Sequence, residues 1–521
     1  MTPRRIALVA SIIGSGIVFL DTTIVNVALP AIREGLHGGL AAQQWVVEAY
    51  LLTLSSLLLI GGSLGDLFGR RTVFRAGAIA FGTCSVLCAL APSAGFLIAA
   101  RALQGAAGAL LVPSTLALIV DTFPEGQARA KAIGTWSAWS GVATVAGPLG
   151  GGALVQFASW RWIFAVNVIP VAIVAMLLAK LETDRRRPAH VDIKGALLCA
   201  VGLGGPVFAL IEQPTYGWRD PRVLAPLATG VAALAVFVIT ERRSTHPMLP
   251  LELFSRRNFA VGNVTTLAMW GALNVSTFLV VVFIQQVAGY SALEAGLAML
   301  PITLLIFALS RRFGGLADRL GPRAFMGGGP IVAAAGLLLL TRLGAHSPYA
   351  TTMLPGVLVF GLGMSATVAP LTATVLSSVP QGHSGVASGV NNAVARVAGL
   401  LAIAAVGAVV SASFAARLTH DASALPPAAR PALTYQRTKP FVTRTPHAEP
   451  GFHHALQDAS VRALHAGLLV AAALAFLGGV VALAGIENPR PRTEPIRRRS
   501  GLRPRRDPAA GRHRRSARRM E

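Results

Sequence analysis

The stretch Gly61-Gly-Ser-Leu-Gly-Asp66-Leu-Phe-Gly69-Arg70-Arg71 returns later in the chain as Phe313-Gly-Gly-Leu-Ala-Asp318-Arg-Leu-Gly321-Pro-Arg323. Asp318 and Gly321 stand where Asp66 and Gly69 do in the first copy. Each copy follows one long apolar run and precedes another, so the chain reads as two related halves in the same orientation, as in a duplicated transporter. The glycines permit a tight turn and close helix approach. The aspartate among arginines can close a charge network that holds one conformation.

The composition around these copies points the same way. Only 13% of the 521 residues are charged, 53% are hydrophobic, and mean hydropathy is +0.60. A large soluble protein needs about 25% charged residues, so a cytosolic enzyme, a disordered chain and a fibrous repeat are excluded. A bilayer helix needs about 20 mainly apolar residues. Fourteen segments qualify, from Ile6–Pro30 to Ala463–Ile486, with Leu293–Leu309 and Phe325–Leu340 the shortest. The first has no cleavage site and reads as a retained helix rather than a signal peptide. Lys and Arg concentrate on the side of the two repeated loops, which the positive-inside rule makes cytoplasmic along with both termini.

The expected fold is therefore an all-α polytopic membrane protein of fourteen transmembrane helices. Residues 1–181 form an N-terminal six-helix bundle. Residues 182–257 form a linker and two inserted helices, Ile193–Ile211 and Val223–Thr240. Residues 258–487 form a C-terminal six-helix bundle with an external loop at 415–462, and residues 488–521 form a disordered basic cytoplasmic tail. The loop reads as a tolerated insertion rather than a substrate lid. The tail holds thirteen Arg against three acids and supplies much of the net charge of +24. It reads as attracted to anionic lipid rather than to nucleic acid, because no folded recognition module accompanies it. Cys84, Cys88 and Cys199 lie in apolar stretches without metal or disulfide spacing. No G-x-x-x-x-G-K-[ST] loop occurs, which argues against an ATP-driven pump.

Charged residues inside apolar spans are costly and are functional candidates by default. Asp21, in Leu20-Asp-Thr-Thr-Ile-Val-Asn26, is the first; low dielectric favours its protonated form, which suits a proton carrier. The alternative is a structural acid near the outer interface. Arg101 and Gln104 share a face of one helix, and Arg101 can stabilise an ionised carboxylate nearby, or else snorkel to the interface. Glu48, in Gln44-Trp-Val-Val-Glu-Ala-Tyr50, reads equally as a proton or cation site and as an interfacial residue. Gly141, Gly147, Pro148, Gly151 and Gly152 give one helix a small-residue packing face and a bend. Asn26, Gln104, Trp136, Trp139, Trp270, Asn274, Asn391, Asn392 and Arg396 are candidates for a substrate path, although interhelical hydrogen bonds and membrane packing explain such residues too.

In this order, the motifs resemble those of the major facilitator superfamily, and most of all its fourteen-helix drug:proton antiporters (EmrB/QacA-like multidrug efflux). The resemblance covers roughly residues 5–487. It implies a conformational latch at Gly62, Asp66, Gly69, Arg70 and Arg71, echoed at Asp318. It implies proton coupling at Asp21 and Arg101, with Glu48 as a further candidate, and an antiporter motif from Gly141 to Gly152. Leu67 and Ala143 depart from the family pattern, which commonly has Arg and Gly there. Trp160-Arg-Trp-Ile-Phe-Ala-Val-Asn167 and Gln285–Gly296 are weaker echoes. The implied activity is export of a hydrophobic or cationic drug-like molecule across the plasma membrane in exchange for protons. No other cofactor is expected, and the protein would act as a monomer. The alternatives are a self-resistance or metabolite exporter of narrow specificity and, from another class, a transport-dead membrane sensor.

Overall fold

The computed structural model describes residues 2–123, 126–181, 191–244, 247, 249–380, 384–421, 436, 440–441 and 450–488. These residues are helical with no strand, as the long apolar runs require: in a bilayer, a helix satisfies its backbone polar groups internally. The first six helices are α1 (Pro3–Leu36), α2 (Leu40–Phe68), α3 (Arg70–Ala89), α4 (Ala94–Thr122), α5 (Gln127–Phe157) and α6 (Trp162–Ala179). Next come α7 (Ile193–Tyr216) and α8 (Pro221–Arg243). The last six are α9 (Arg257–Gln286), α10 (Ala292–Leu320), α11 (Pro322–Leu340), α12 (Tyr349–Ser377), α13 (Ser384–Asp421) and α14 (Pro450–Gly485).

Local chemistry sets several of the boundaries. Ser93, Asp192 and Asp220 cap the starts of α4, α7 and α8 with side-chain oxygens, and Ser291 with Glu294 forms a capping box at α10. A single glycine separates α2 from α3 and another separates α10 from α11. Gly69 and Gly321 have φ of 100° and 90°, a region that side chains with a Cβ rarely adopt. The repeat thus extends from sequence to backbone. It extends further to Arg71, whose Nε donates to the Leu178 carbonyl at the end of α6. Its counterpart Arg323 donates in the same way to the Leu483 carbonyl near the end of α14.

Helices α1 to α6 pack chiefly on one another, with α4 against α2 and α3 and α5 against α1. Helices α9 to α14 do likewise, with α12 against α10 and α11 and α14 against α9 and α11. The pair α7–α8 is a hairpin in which α7 lies against α2 and α13, while α8 packs chiefly on α7. The two groups meet where α5 touches α10, α2 touches α13 and α1 touches α9. Hydrogen bonds that join them include Gln285 Nε2 to the Val27 carbonyl (3.1 Å), Arg33 to Gln286, and Gln44 Nε2 to the Ile403 carbonyl (2.9 Å). The residues from α1, α2 and α9 lie toward the end of the molecule that holds the α1–α2 turn, opposite the repeated loops.

Twelve of these helices are long and apolar enough to cross a membrane, and α2, bent between Leu58 and Ile60, makes a thirteenth if its two parts are one span. The count of fourteen read from the sequence is thus only partly met. The exception is α5, whose 31 residues include Gly, Ser, Thr and Trp where other spans carry aliphatic side chains. Leu293–Leu309 and Phe325–Leu340 are pieces of longer helices, α10 and α11. Helices α13 and α14 extend into the external loop, of which most of 422–449 lies outside the described residues, as does the basic tail from 489.

Close approach of α2 and α4 depends on Gly105, where an added Cβ would lie 2.2 Å from the Tyr50 carbonyl oxygen. Gly105→Val should destabilise the fold by about 1–3 kcal/mol. Thermal unfolding of the purified protein in detergent would report this as a lower midpoint. Gly95→Ala, at a site with nothing within 4 Å, should leave the midpoint in place.

Candidate functional site

Asp21 and Arg101 form a fully buried ion pair between α1 and α4. Arg101 Nη1 lies 2.6 Å from Asp21 Oδ2, with side-chain exposures of 1% and 0%. Taking two charges out of water costs several kcal/mol each unless geometry and further hydrogen bonds compensate, and here they do. Arg101 also donates from Nε to the Val46 carbonyl on α2 (3.0 Å) and from Nη1 to Gln104 Oε1 (2.7 Å). The Tyr50 ring lies 4.1 Å from the guanidinium carbon and the Phe164 ring 5.7 Å from it. Asp21 Oδ1 accepts from Gln104 Nε2 (3.1 Å) and Asn167 Nδ2 (3.3 Å). Ser85 Oγ accepts from the same two amides and donates a hydrogen bond to the Phe81 carbonyl. Five helices, α1, α2, α3, α4 and α6, are tied into one cluster.

Arg101 is buried and does not snorkel, and Asp21 is bonded to a neighbouring helix, as its alternative reading as a structural acid also has it. Gln104, expected in a substrate path, belongs to this cluster. Asn167, noted only as part of a weak echo, is a donor to the carboxylate; a lone amide entering an apolar helix was its signal. Ser85, Tyr50 and the Val46 carbonyl carried no signal, because serine, tyrosine and peptide groups are ordinary in membrane helices.

The opposite face of α1 lines a cavity of about 380 Å³ between the two helix groups. Thr22, Thr23 and Asn26 contribute from α1; Gly141, Thr144 and Pro148 from α5; Trp270 and Asn274 from α9; Met299 and Phe307 from α10; and Met364 from α12. No Asp, Glu, Lys, Arg or His lines it. Of the substrate-path candidates, Asn26, Trp270 and Asn274 are here. Asn391 and Asn392 line a separate pocket of about 90 Å³ among α9, α12 and α13, where Asn391 accepts from Thr266. Trp136 is half-buried and Trp139 is exposed, and neither lines the cavity. Arg396 on α13 is half-buried and also outside that wall.

The α5 glycines bring three helices together. An added Cβ at Gly147 would lie 2.0 Å from Thr23 Oγ1 and one at Gly151 2.4 Å from Ile24 Cγ1, both on α1. One at Gly152 would meet the Ala292 carbonyl of α10 at 2.7 Å. This face therefore packs α5 on α1 and also forms part of the contact between the groups.

At the other end, Arg70 bridges Asp66 and Asp121, each at 2.9 Å, and donates to the Ala117 carbonyl. Asp121 closes the network and was not foreseen. Asp318, the echo of Asp66, is exposed and has no hydrogen bond or ion pair among the described residues. The reason is in the sequence: Pro322 occupies the position of Arg70. Glu48 is also apart from the Asp21 cluster. It is completely buried, and neither carboxylate oxygen has a hydrogen-bond partner among the described residues.

A family model described as Major Facilitator Superfamily matches residues 11–403. The chain belongs to the Major Facilitator Superfamily. This superfamily chain is 38% identical to the puromycin resistance protein of Streptomyces alboniger, over 80% of its own length and 84% of the relative's. It is 36% identical to the tetracenomycin C resistance and export protein of Streptomyces glaucescens, over 78% and 75%. With the multidrug resistance protein Stp of Mycobacterium tuberculosis the identity is 34%, over 80% and 77%. Its fold matches the crystal structure of a bacterial homologue of the human lysosomal transporter Spinster with a TM-score of 0.66 at 16% identity, covering 94% and 99% of the two chains. The protein is thus a polytopic membrane transporter.

Removing one partner of a buried pair leaves an uncompensated charge, at a cost of about 3–5 kcal/mol. Arg101→Ala should therefore lower the thermal midpoint much more than the combined Asp21→Leu, Arg101→Met replacement, which removes both charges. Unfolding in detergent at constant pH compares the two.

Proposed function

We propose that this protein is a proton-coupled antiporter that exports uncharged, mainly apolar, antibiotic-like molecules across the plasma membrane by alternating access. The observation that carries the reading is the double duty of α1. One face holds Asp21 in the buried pair, and adjacent residues Thr22, Thr23 and Asn26 form the cavity wall. A change of protonation at Asp21 is thereby transmitted to the substrate wall through a single rigid element.

The conformation described, closed toward the α1–α2 turn, is the one that opens to the cytoplasm if the Arg-rich loops lie inside. In it Asp21 is paired with Arg101, the arrangement expected after a proton has left for the cytoplasm. Protonation from outside neutralises Asp21 and weakens its pull on Arg101. The arginine keeps the Val46 carbonyl, Gln104 Oε1 and the Tyr50 ring as partners, so its charge is not abandoned. A proton moving down about 150–200 mV supplies about 3.5–4.6 kcal/mol, enough for about a 10³-fold gradient of a neutral substrate.

The cavity favours the hydrophobic over the cationic member of the expected substrate class, because no carboxylate lines it. The relatives that confer puromycin resistance and tetracenomycin C resistance and export fit antibiotic export, including the self-resistance variant of this reading. We assign fourteen spans in a six-plus-two-plus-six plan, with both termini cytoplasmic and α5 as a span despite its low hydropathy. Asp66, Arg70 and Asp121 act as the cytoplasmic latch. Gly147, Gly151 and Gly152 form the moving interface. The basic tail meets anionic lipid, and the unit of function is the monomer.

Energised inside-out vesicles test the coupling. Adding a transported antibiotic should release protons in vesicles with the native protein and not in those with Asp21→Asn expressed at equal level. Equal proton release and drug uptake in both would overturn the assignment. The proton-driven component of native transport should weaken as the pH difference is collapsed.

A further inference from the structure

Arg396 lies about three turns inside α13. It has no hydrogen bond or ion pair among the described residues. An arginine stays charged at every relevant pH, and inside a span it ordinarily pairs with a carboxylate or backbone carbonyl. Arg101 shows what such a charge requires: a carboxylate, a carbonyl, an amide and an aromatic ring. Arg396 is half-buried and has no equivalent set.

Its place on α13 shows what it faces. It lies in line with Ile403 and Gly407, on the side of the helix that meets Gln44 of α2. One turn further on, Gly399 lies against Asn274 of the cavity wall, where an added Cβ would be 3.0 Å from the amide carbon. Arg396 therefore sits beside the cavity, at the seam where α13 faces α2. Across the seam, Tyr50 is the ionisable residue within electrostatic reach of it. Tyr50 is completely buried, and its hydroxyl has no hydrogen-bond partner among the described residues. Thr22 of the cavity wall comes close to that hydroxyl but donates its own hydrogen bond to the Val18 carbonyl. The acids nearby do not answer Arg396 either, since Asp21 belongs to Arg101 and Glu48 bonds to nothing described. Two donors thus flank one seam next to the cavity, and what both lack is an acceptor oxygen.

We propose that Arg396 determines substrate specificity: it binds an acceptor oxygen of the exported molecule, with the Tyr50 hydroxyl as second donor, and its charge keeps cations out of the cavity. The proposal rests on the drug-export reading above and deepens its substrate class. The preferred cargo is a largely apolar molecule with one oxygen-bearing end, a carbonyl or an acidic group. The apolar part fills the wall of Val27, Met299, Ile306 and Phe307, and the oxygen reaches past Thr22 to the seam. Cations are rejected for a reason beyond the missing carboxylate. At about 10 Å in a protein interior, an unpaired charge disfavours a second positive charge by about tenfold or more. Little water is present there to screen it.

Equilibrium binding to the purified full-length protein in lipid nanodiscs, at constant pH and without a proton gradient, tests this. The probes are three derivatives of one apolar fluorescent scaffold that differ in a single substituent: a methyl ester, a carboxylate and a quaternary ammonium. The native protein should bind the carboxylate most tightly, then the ester, and the ammonium about tenfold or more weakly than the ester. Arg396→Gln should weaken carboxylate binding by about tenfold or more and remove the penalty on the ammonium, with the ester changing least. Arg396→Lys keeps the charge without the planar fork, so it should still reject the ammonium while binding the carboxylate less well than the native protein. Tyr50→Phe keeps the ring over Arg101; it should weaken the two oxygen-bearing probes and preserve the ammonium penalty. Native binding indifferent to the substituent, no native binding of the carboxylate, or Arg396 variants that weaken all three probes equally, as a purely structural role requires, would each overturn the proposal. Failure of proton coupling would instead appear in the vesicle assay, with these binding ratios intact.

Discussion

The buried pair of Asp21 and Arg101 constrains everything around it. Two charges survive inside a membrane protein only when every remaining donor and acceptor is met. Meeting them here takes a carbonyl from α2, a serine from α3, an amide from α4 and another from α6. Helices α1, α2, α3, α4 and α6 are consequently bound together from within rather than by loops. The same constraint fixes the rotation of α1, and with it which side chains face the cavity.

The contacts between that body and its counterpart are of a different kind. They are made by small residues and single hydrogen bonds: Gly152 and Gly296 between α5 and α10, Gln44 against Gly407 between α2 and α13. Such surfaces approach closely yet hold little energy in any one bond, which suits an interface that must separate and re-form. The inserted hairpin packs along one of these seams. It is therefore not a passive addition at the periphery, since α7 lies against both α2 and α13.

Much of this was legible in the sequence, for identifiable reasons. The repeated loop fixed the duplication, because only glycine accepts the backbone at Gly69 and Gly321. Asp21 and Arg101 stood out because charge inside an apolar run is expensive. Their partnership was readable as chemistry but not as contact, since residues on separate helices meet only through packing. Ser85, Asp121 and the cavity wall of Thr22, Thr144 and Phe307 were hidden for the same reason. Arg396 and Trp139 show the converse, as polar and aromatic residues within spans that do not reach the cavity wall. Helix α5 was read from the sequence as an apolar span, yet among the described helices it is the one that does not qualify as a span by length and composition.

The substitution of proline for arginine at 322 has a wider consequence. Duplication supplied both halves with the same turn, yet only one copy kept an ionic clasp; the other kept the glycine and the arginine that fastens the last helix. The machine thus has one joint clasped by ion pairs and one in which Asp318 has no such partner among the described residues. Salt on the side of the repeated loops can then loosen the first turn more than its twin.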